Sequence, residues 1–439
     1  MVNVSAKCDL QSTTTALQVQ VYNHNTLVPT SPTHYCHMHT IEDGNCSQLP
    51  QEMVDAIIDF LCDDRVALTA CSLASRSLLP ETRHHLFSKI TLTTENIPRF
   101  VMLLEDPSPH TIASSVHTII LSRSYHPWPI AAIDRPTAQL RAVRCLRLRH
   151  VNLLSDRHND ACDARSRRPI QELITLLGSV EELELDEVHF DNIYHLMDVV
   201  YASQKLKWLS LGSLNLRGSV TLPLAADKEA RARLADGPRF SLRYLSLETN
   251  KPEISQSIME WVMSRNPVPI VRSMICAARD LENPMLQEIT RRVGGSVMRL
   301  WIIFIAGNPL PIPDLHTISE FTSITDLHLG LVIPWQGPGP DVILPVAQAL
   351  ACIKSPHIRI ITIEAHSHIH RFKTMLDWQG IADILATPPF ADLQSLRVRW
   401  RENGRVMREA QVSAEDFRKN GLLALLPALS NKLHSQTAN

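Results

Sequence analysis

Short apolar alternations recur along most of this chain, and they constrain its fold more than any other feature. Each has two apolar residues separated by one residue, which is the pattern of a β-strand with one buried face. Successive copies begin 26 to 37 residues apart. The eight clearest copies begin at Leu146, Leu183, Leu209, Leu245, Leu300, Leu327, Ile361 and Leu396, and weaker copies occur at Ile90, Ile119 and Met274. The sequence therefore predicts a series of similar units with one strand each.

Segments with helical periodicity lie between these strands. The clearest cover residues 171–177, 193–201, 254–263, 346–353 and 372–385. Alternating strands and helices predict a βα solenoid, in which no unit is stable without its neighbours. The intervals are close to, or somewhat above, one leucine-rich repeat of about 20 to 29 residues. A doubly wound α/β domain also alternates in this way, but this sequence lacks its glycine-rich first crossover. We predict an irregular leucine-rich repeat-like solenoid over residues 91–412.

The two ends of the chain differ from this repeating part. Residues 1–45 are polar and show no sustained period, which predicts a disordered tail. Residues 413–439 begin with the capping-box spacing Ser413-x-x-Asp416 and continue with a leucine-rich segment that Pro427 breaks or kinks. We expect this segment to be a helical cap on the last repeat, followed by a tail.

Composition excludes several classes of function. Hydrophobic residues make up 44% of the chain and charged residues 20%, which is typical of a globular protein. The formal charge of -2 gives no global attraction to nucleic acid or to an anionic membrane. Nine cysteines without a CxxC pair suggest reduced thiols in the cytoplasm or nucleus. No basic leader precedes an apolar run, and no run approaches the roughly 18 to 20 apolar residues that span a bilayer.

Residues 46–90 predict three short helices. Pro50 and Glu52 suit a first helical turn, Asp64 can cap a second helix, and Pro80 can begin a third that ends near Phe87. Helices this short need their apolar faces packed on one another or on a partner. The segment has more apolar residues than its own small core requires. They could dock a partner protein or pack internally against the first repeat.

The string LPQEMVDAIIDFLCDDRVALTACSLASRSLLPETRHHLF, residues 49–87, resembles an F-box, and its CSLASRSLLP and HHLF phrases are similar to the fungal branch of that family. The resemblance implies an α+β to α/β protein whose F-box binds the linker protein Skp1 and, through it, a cullin–RING ligase. The rest of the chain would then select a protein substrate for ubiquitin transfer. No cofactor or metal is implied. The family often has Trp in place of Leu78, which implies weaker binding of the linker. The implied partner contacts are Leu49, Pro50, Glu52, Met53, Ile57, Ile58, Leu61, Leu68, Cys71, Leu78, Leu79 and Phe87.

Strand alternation also predicts an exposed stripe along the sheet. If the two periodic residues of each strand point inward, the residue between them and the next one point outward. The resulting candidates for substrate contact are Arg147, Arg149, Glu184, Asp186, Trp301, His328, Glu364, Arg397 and Arg399. An exposed Trp301 would be a natural interface anchor. The continuous apolar run WIIFI, however, favours a strand that is buried on both faces. The acidic run from Glu181 to Glu187 more often serves solubility than substrate binding.

Metal and catalytic motifs are weak or absent in the sequence. His34, Cys36, His37 and His39 are clustered, but no second ligand pair follows at zinc-finger spacing. His366, His368 and His370 alternate, which favours a polar strand end over a metal or pH-sensing site. The sequence contains no GxxxxGK[ST], HExxH, GxSxG or strand-linked GxGxxG motif. Three hypotheses therefore remain: a ubiquitin-ligase substrate receptor, a repeat scaffold whose N-terminal helices only cap the array, and an unrecognised enzyme.

Overall fold

The computed structural model describes residues 49–105, 112–124, 140–154, 169–217, 241–248, 251–263, 268–305, 315–332, 344–366, 376–402 and 405–420. These residues form a mixed α/β protein with one mostly parallel sheet. The helices are α1 (Gln51–Phe60), α2 (Arg65–Ala74), α3 (Leu79–Ser88), α4 (Ile97–Glu105), α5 (Pro169–Leu177), α6 (Ile193–Ala202), α7 (Pro252–Met263), α8 (Pro284–Val293), α9 (Val346–Ala351), α10 (Trp378–Leu385) and α11 (Ala414–Asn420).

The strands are β1 (Lys89–Leu92), β2 (Thr118–Ser124), β3 (Cys145–Val151), β4 (Glu182–Asp186), β5 (Val188–Phe190), β6 (Trp208–Leu211), β7 (Leu214–Leu216), β8 (Tyr244–Leu247), β9 (Ser273–Ala277), β10 (Arg299–Ile305), β11 (Asp326–Val332), β12 (Ile360–His366), β13 (Ser395–Glu402) and β14 (Arg405–Ser413). Twelve of them form one sheet in chain order, and β5 pairs with β7 in a second, two-stranded sheet.

All eleven predicted alternations lie side by side in the large sheet. From Ile90 on β1 to Leu396 on β13, the first apolar residue of each strand is in register with its neighbours. Every pairing from β1 to β13 is parallel, and a parallel pair needs a crossover connection between its strands. The predicted series of one-strand units is therefore present in the structure.

The crossover connections cover one face of the sheet and bury its periodic residues. Leu183 and Leu185 on β4 belong to the same apolar core as Leu196 and Val200 on α6, and all four are fully buried. The predicted helices at 193–201, 254–263 and 346–353 correspond to α6, α7 and α9. Helices α4 and α8 were missed, as were the short 3-10 segments Ala278–Glu282 and Leu315–Glu320. The two 3-10 segments have only five and six residues, too few to show a helical period in sequence, whereas the apolar spacing of α4 and α8, nine and ten residues long, was detectable.

Two residues with a left-handed backbone conformation occupy equivalent positions of adjacent units, His150 within β3 and Glu187 directly after β4. His150 and Glu187, each four residues after the first apolar residue of its strand, have positive φ angles of 53° and 51°. The His150 Nδ1 lies 2.5 Å from Glu187 Oε2. After Glu187 the chain enters β5, and its partner β7 similarly follows β6. Two consecutive units thus continue the apolar alternation in a second short strand.

The C-terminal end of the sheet departs from the parallel pattern. Strand β14 pairs antiparallel with β13 and, except for its last residue Ser413, lies within the range that the sequence assigned to repeats. Helix α11 follows, and the Asp416 backbone N–H donates to Ser413 Oγ at 3.0 Å, as the capping-box spacing predicts. Phe417 is fully buried in the core. The segment therefore covers the end of the core, while Pro427 lies outside the described residues.

The N-terminal end begins with three helices at the predicted positions. Helix α3 leads directly into β1 at Lys89, so the sheet starts inside the range 46–90 that was predicted for the helical module. The polar segment 1–45, with His34, Cys36, His37 and His39, lies outside the described residues. No helix in the described part of the chain is long and apolar enough to cross a membrane.

Candidate protein-binding surfaces

The three N-terminal helices are joined by polar contacts at their ends. Asp64 caps α2 by accepting hydrogen bonds from the backbone N–H groups of Val66 and Ala67, both at 3.0 Å. The Arg65 guanidinium of α2 donates to the carbonyls of Leu86 and Lys89 at 3.3 and 3.4 Å. These bonds fix α2 to the end of α3, beside the first strand of the sheet.

Asp59, Glu81 and His85 form a small ionisable cluster between α1 and α3. His85 Nε2 lies 2.8 Å from Asp59 Oδ1 and 3.3 Å from Glu81 Oε1. The three side chains could offer one ligand atom each to a metal ion, since these atoms lie within 4.8 Å of one another. Their contacts with one another already account for the arrangement as a link between the two helices.

Several apolar side chains of α1 and α2 point away from the rest of the chain. Met53, Ile57 and Phe60 have exposed fractions of 52%, 50% and 91%, and their spacing places them on one side of α1. Leu49, which precedes the helix by two residues, is 55% exposed. On α2, Val66 and Leu73 are 81% and 83% exposed and lie seven residues apart, two helical turns. We call these six residues the helical face.

The predicted partner contacts divide into three groups. Leu49, Pro50, Glu52, Met53 and Ile57 are exposed. The half-buried contacts are Leu61, Cys71, Leu78, Leu79 and Phe87. The prediction is wrong for Ile58 and Leu68, which are 1% and 0% exposed and point into the interior of the chain.

Phe60, Val66 and Leu73 were missed as surface residues. Helical spacing from Met53 and Ile57 could have identified Phe60, because it lies one turn beyond Ile57 on the same side of α1. Val66 and Leu73 lie on α2, and Leu68 is the residue of that helix that turns inward. The period alone does not tell which of the two apolar sides of α2 is covered.

The N-terminal part of the predicted stripe is neutralised by its own ion pairs. Arg147 Nε lies 3.2 Å from Glu184 Oε2, and Arg149 Nη2 lies 2.6 Å from Glu184 Oε1. Asp186 Oδ1 accepts a hydrogen bond from the Ser213 backbone N–H at 3.3 Å. All four predicted residues of this part are half-buried.

The acidic run contributes to the same pairing. Glu181 forms ion pairs of 2.7 Å with both Arg144 and Lys207, and its hydrogen bond from Lys207 is the largest influence that lowers the pKa of its carboxyl. Glu184 and Glu187 also have basic partners, as described above. The run is therefore tied to the neighbouring strands, in line with a structural role.

Two aromatic stacks lie further along the stripe. Trp208 and Tyr244, neighbours on β6 and β8, stack with ring centroids 3.5 Å apart, and burial raises the pKa of Tyr244 to about 12. Trp301 stacks on His328 of the next strand, with centroids 3.8 Å apart and planes inclined by 24°. Both stacks join side chains that are directly in register.

The interpretation of WIIFI as a strand buried on both faces is wrong. Leu300, Ile302 and Phe304 are buried, whereas Trp301 is half-buried and Ile305 is 51% exposed. The strand therefore alternates like its neighbours, and Trp301 lies on the stripe side of the sheet.

Glu364 is a second correction, because it was predicted to be exposed and is 1% exposed. Its carboxylate lies 3.0 Å from Arg401 Nε and 3.7 Å from His328 Nε2, so opposite charge accompanies its burial. Ser246, Gly330 and Thr362 also lie on the stripe side and are buried. Alternation predicted the direction of these side chains, while their accessibility depends on what surrounds them.

Arg397 and Arg399 are half-buried on β13. The Arg397 Nε atom is inaccessible to solvent and has no hydrogen-bond partner. Arg399 is in register with Glu409 of β14, and Arg397 with Gln411. Of the three alternating histidines, His366 ends β12, while His368 and His370 lie outside the described residues.

Comparisons with known proteins give little further information. No protein family matches the sequence, and no curated protein matches it. A leucine-rich repeat protein of Leptospira interrogans, LIC12759, matches in structure with 12% identity over 71% of this chain and 89% of its own, at a TM-score of 0.22. A TM-score this low supports no inference about function.

Proposed function

We propose that the chain is a non-catalytic adaptor, the substrate-recognition subunit of an SCF-type ubiquitin ligase. In this proposal residues 46–90 act as an F-box, and the strand units act as a leucine-rich repeat-like array that binds a protein substrate. The helical face binds a Skp1-like linker protein, which connects the chain to a cullin–RING ligase. The observation that carries the proposal is the exposure of six large apolar side chains, five on two short helices and Leu49 just before the first.

The cost of this exposure is the physical argument for a partner. Burying one large apolar side chain contributes roughly 1.5 to 3 kcal/mol, so six exposed ones leave substantial binding energy unused in the isolated chain. Exposed apolar patches of this kind often mark protein-interaction sites. The F-box resemblance covers the same helices and supplies the identity of the proposed partner.

Co-purification of the full-length chain with Skp1 tests the proposal. We expect a complex with the unaltered protein and its loss in the variant Ile57→Asp, because a charge would be buried at the contact. Met102→Asp is the matched control, since Met102 is a 70% exposed apolar residue on α4, outside the helical face. Absence of a complex with the unaltered chain, or equal loss in both variants, would refute the proposal.

A second candidate is a repeat scaffold in which the three helices only cap the array. It is favoured by the direct passage from α3 into β1 and by the hydrogen bond from the His117 N–H to the Ser88 carbonyl, 2.9 Å long. A deletion that ends just before Lys89 discriminates the two, because it removes the helices and keeps β1. Collapse of the array in the deletion variant, together with failure of the full-length chain to bind Skp1, would favour the scaffold.

A further inference from the structure

The C-terminal part of the stripe differs from the N-terminal part in how its arginines are paired. We define the C-terminal stripe as Trp301, His328, Glu364, Arg397, Arg399 and Arg401. Trp301, His328, Thr362 and Arg397 form one row across four adjacent strands. With about 4.8 Å between strands, the row spans about 14 Å, the length of four or five extended residues.

Two of the three arginines in this stripe have an acidic residue beside them. Glu364 lies 3.0 Å from Arg401 Nε and is in register with Arg399 on the neighbouring strand. Arg397 instead has uncharged neighbours in its row, Thr362 on β12 and Gln411 on β14. Among the residues that the structure describes, none forms an ion pair with Arg397.

Arg397 is also incompletely hydrogen-bonded. Its Nε is buried without a partner, although the residue as a whole is half-buried. An unmet donor on a partly buried cation is costly, and a guanidinium offers a planar fork that suits carboxylate or phosphate oxygens. An incoming anion would not have to break an ion pair between Arg397 and any residue that the structure describes.

Arg147 provides the internal comparison. It occupies the same row of the sheet near the other end, and its Nε lies 3.2 Å from Glu184. An anionic ligand would have to displace that carboxylate. The two ends of one row therefore each present an arginine, but Arg147 is paired with a carboxylate and Arg397 is not paired with any described residue.

We infer that the C-terminal stripe binds an acidic segment of a partner protein, with Arg397 contacting a carboxylate or phosphate group and the half-buried Trp301–His328 stack contacting an apolar side chain beside it. This inference rests on the proposed function, because it names the chemical class of the segment that the adaptor would select. Charge complementarity favours an acidic segment over a neutral or basic one. The unpaired cation and the aromatic stack lie in one row, at a separation that a short extended peptide spans.

Peptide binding to the full-length chain, measured by fluorescence anisotropy, tests the inference. The probes are three fluorescein-labelled ten-residue peptides that share a Gly-Ser-Leu background and carry three glutamates, three phosphoserines or three glutamines. We expect an acidic peptide to bind about tenfold or more tightly than the glutamine peptide, because charged hydrogen bonds contribute about 1.5 kcal/mol or more. The stronger of the two acidic peptides identifies the anion as carboxylate or phosphate.

Matched variants locate the binding at Arg397. Arg397→Gln is expected to weaken the binding of the acidic peptide about tenfold, whereas Arg147→Gln is expected to change its affinity less than twofold. Arg397→Lys, which keeps the charge and loses the planar fork, is expected to fall between the unaltered chain and Arg397→Gln. If thermal melting shows that the Gln variant is unfolded, the Lys variant replaces it as the test of the role of Arg397. Equal binding of all three peptides, or equal effects of the two Gln variants, overturns the inference.

The outcome is separable from that of the adaptor proposal. Skp1 is absent from the peptide assay, and Arg397→Gln is expected to leave co-purification with Skp1 unchanged. Loss of Skp1 binding with acidic-peptide binding retained would refute the adaptor proposal alone. The opposite result would refute the acidic-segment site alone.

Discussion

The buried carboxylate of Glu364 lies 3.0 Å from the Nε of Arg401. Glu364 is two residues before the end of strand β12, and Arg401 is on the neighbouring strand β13. Glu364 is 1% exposed and Arg401 is about one-third exposed. A buried carboxylate is tolerated when it is paired, and loss of one partner leaves the other charge uncompensated. The pair therefore connects the stability of the sheet to the charge of the C-terminal stripe.

Replacing Glu364 by Gln is expected to lower the free energy of unfolding by about 2 to 3 kcal/mol, because Arg401 loses its counter-charge in a partly buried position. Chemical denaturation measures this change. Glu288→Gln is the control, since Glu288 pairs with Arg291 and Arg292 on the surface of α8 and should cost less than about 1 kcal/mol. Equal losses in the two variants would contradict the role of burial.

Asp280 predicts a pH dependence of stability. The residue is 2% exposed, and burial raises the pKa of its carboxyl from 3.8 to about 6, with Arg279 at 3.8 Å opposing the shift. The folded state therefore favours the protonated form more than the unfolded state does. The contribution of this carboxyl to the free energy of unfolding is fully present below pH 3.8 and is lost as the pH rises through about 6. The total loss is about 2 to 3 kcal/mol.

Asp280→Asn should remove this decline and make the protein more stable than the unaltered chain at pH 7, as measured by thermal unfolding across pH. Asp392→Asn, at an exposed position, is the control and should change stability little at pH 7. If the Asp280→Asn variant lost as much stability between pH 4 and pH 7 as the unaltered chain does, Asp280 would not be the source of the pH dependence.

Gly330 allows Trp301 to lie flat beside the next strand. A Cβ at Gly330 would be 2.7 Å from Trp301 Nε1, so Gly330→Ala must displace the indole from its stack on His328. We expect a change in tryptophan fluorescence and a loss of about 1 kcal/mol of stability, the typical size of an aromatic pair. Gly295→Ala is the control, because its nearest atom, Thr322 Oγ1, is 3.9 Å away. An unchanged spectrum in the Gly330 variant would show that the indole can accommodate the methyl group.

Ile57 and Ile58 are adjacent residues of the same type with opposite environments. Ile57 is 50% exposed and Ile58 is 1% exposed, so Ile58→Ala is expected to destabilise the helical module by about 2 to 5 kcal/mol and Ile57→Ala by much less. Hydrogen exchange of α1 to α3 measures the difference. Similar protection losses in the two variants would mean that Ile57 is also part of an internal core and would weaken the case for the helical face.

Much of the strand array was predictable from sequence because its signal is local and repeated. A strand with one buried face imposes a two-residue alternation, and Leu183 and Leu185 show it without reference to any other part of the chain. The same holds for the Ser413 cap, whose hydrogen bond joins residues three positions apart. Helix α6 was recognisable because five of its ten residues are apolar and turn toward the core at helical spacing.

Accessibility and long-range pairing were decided by the tertiary structure. The alternation that places Trp301 and Glu364 on the same side of the sheet does not show that one is half-buried and the other enclosed between His328 and Arg401. Strand β14 turns back antiparallel against β13, which a repeat period cannot reveal. Likewise, the sequence shows that α1 and α2 have more apolar residues than their own core requires. Only their packing with α3 determined that Ile58 and Leu68 point inward and Phe60 outward. Sequence fixes what a segment does with its own neighbours, whereas exposure depends on distant segments that pack against it.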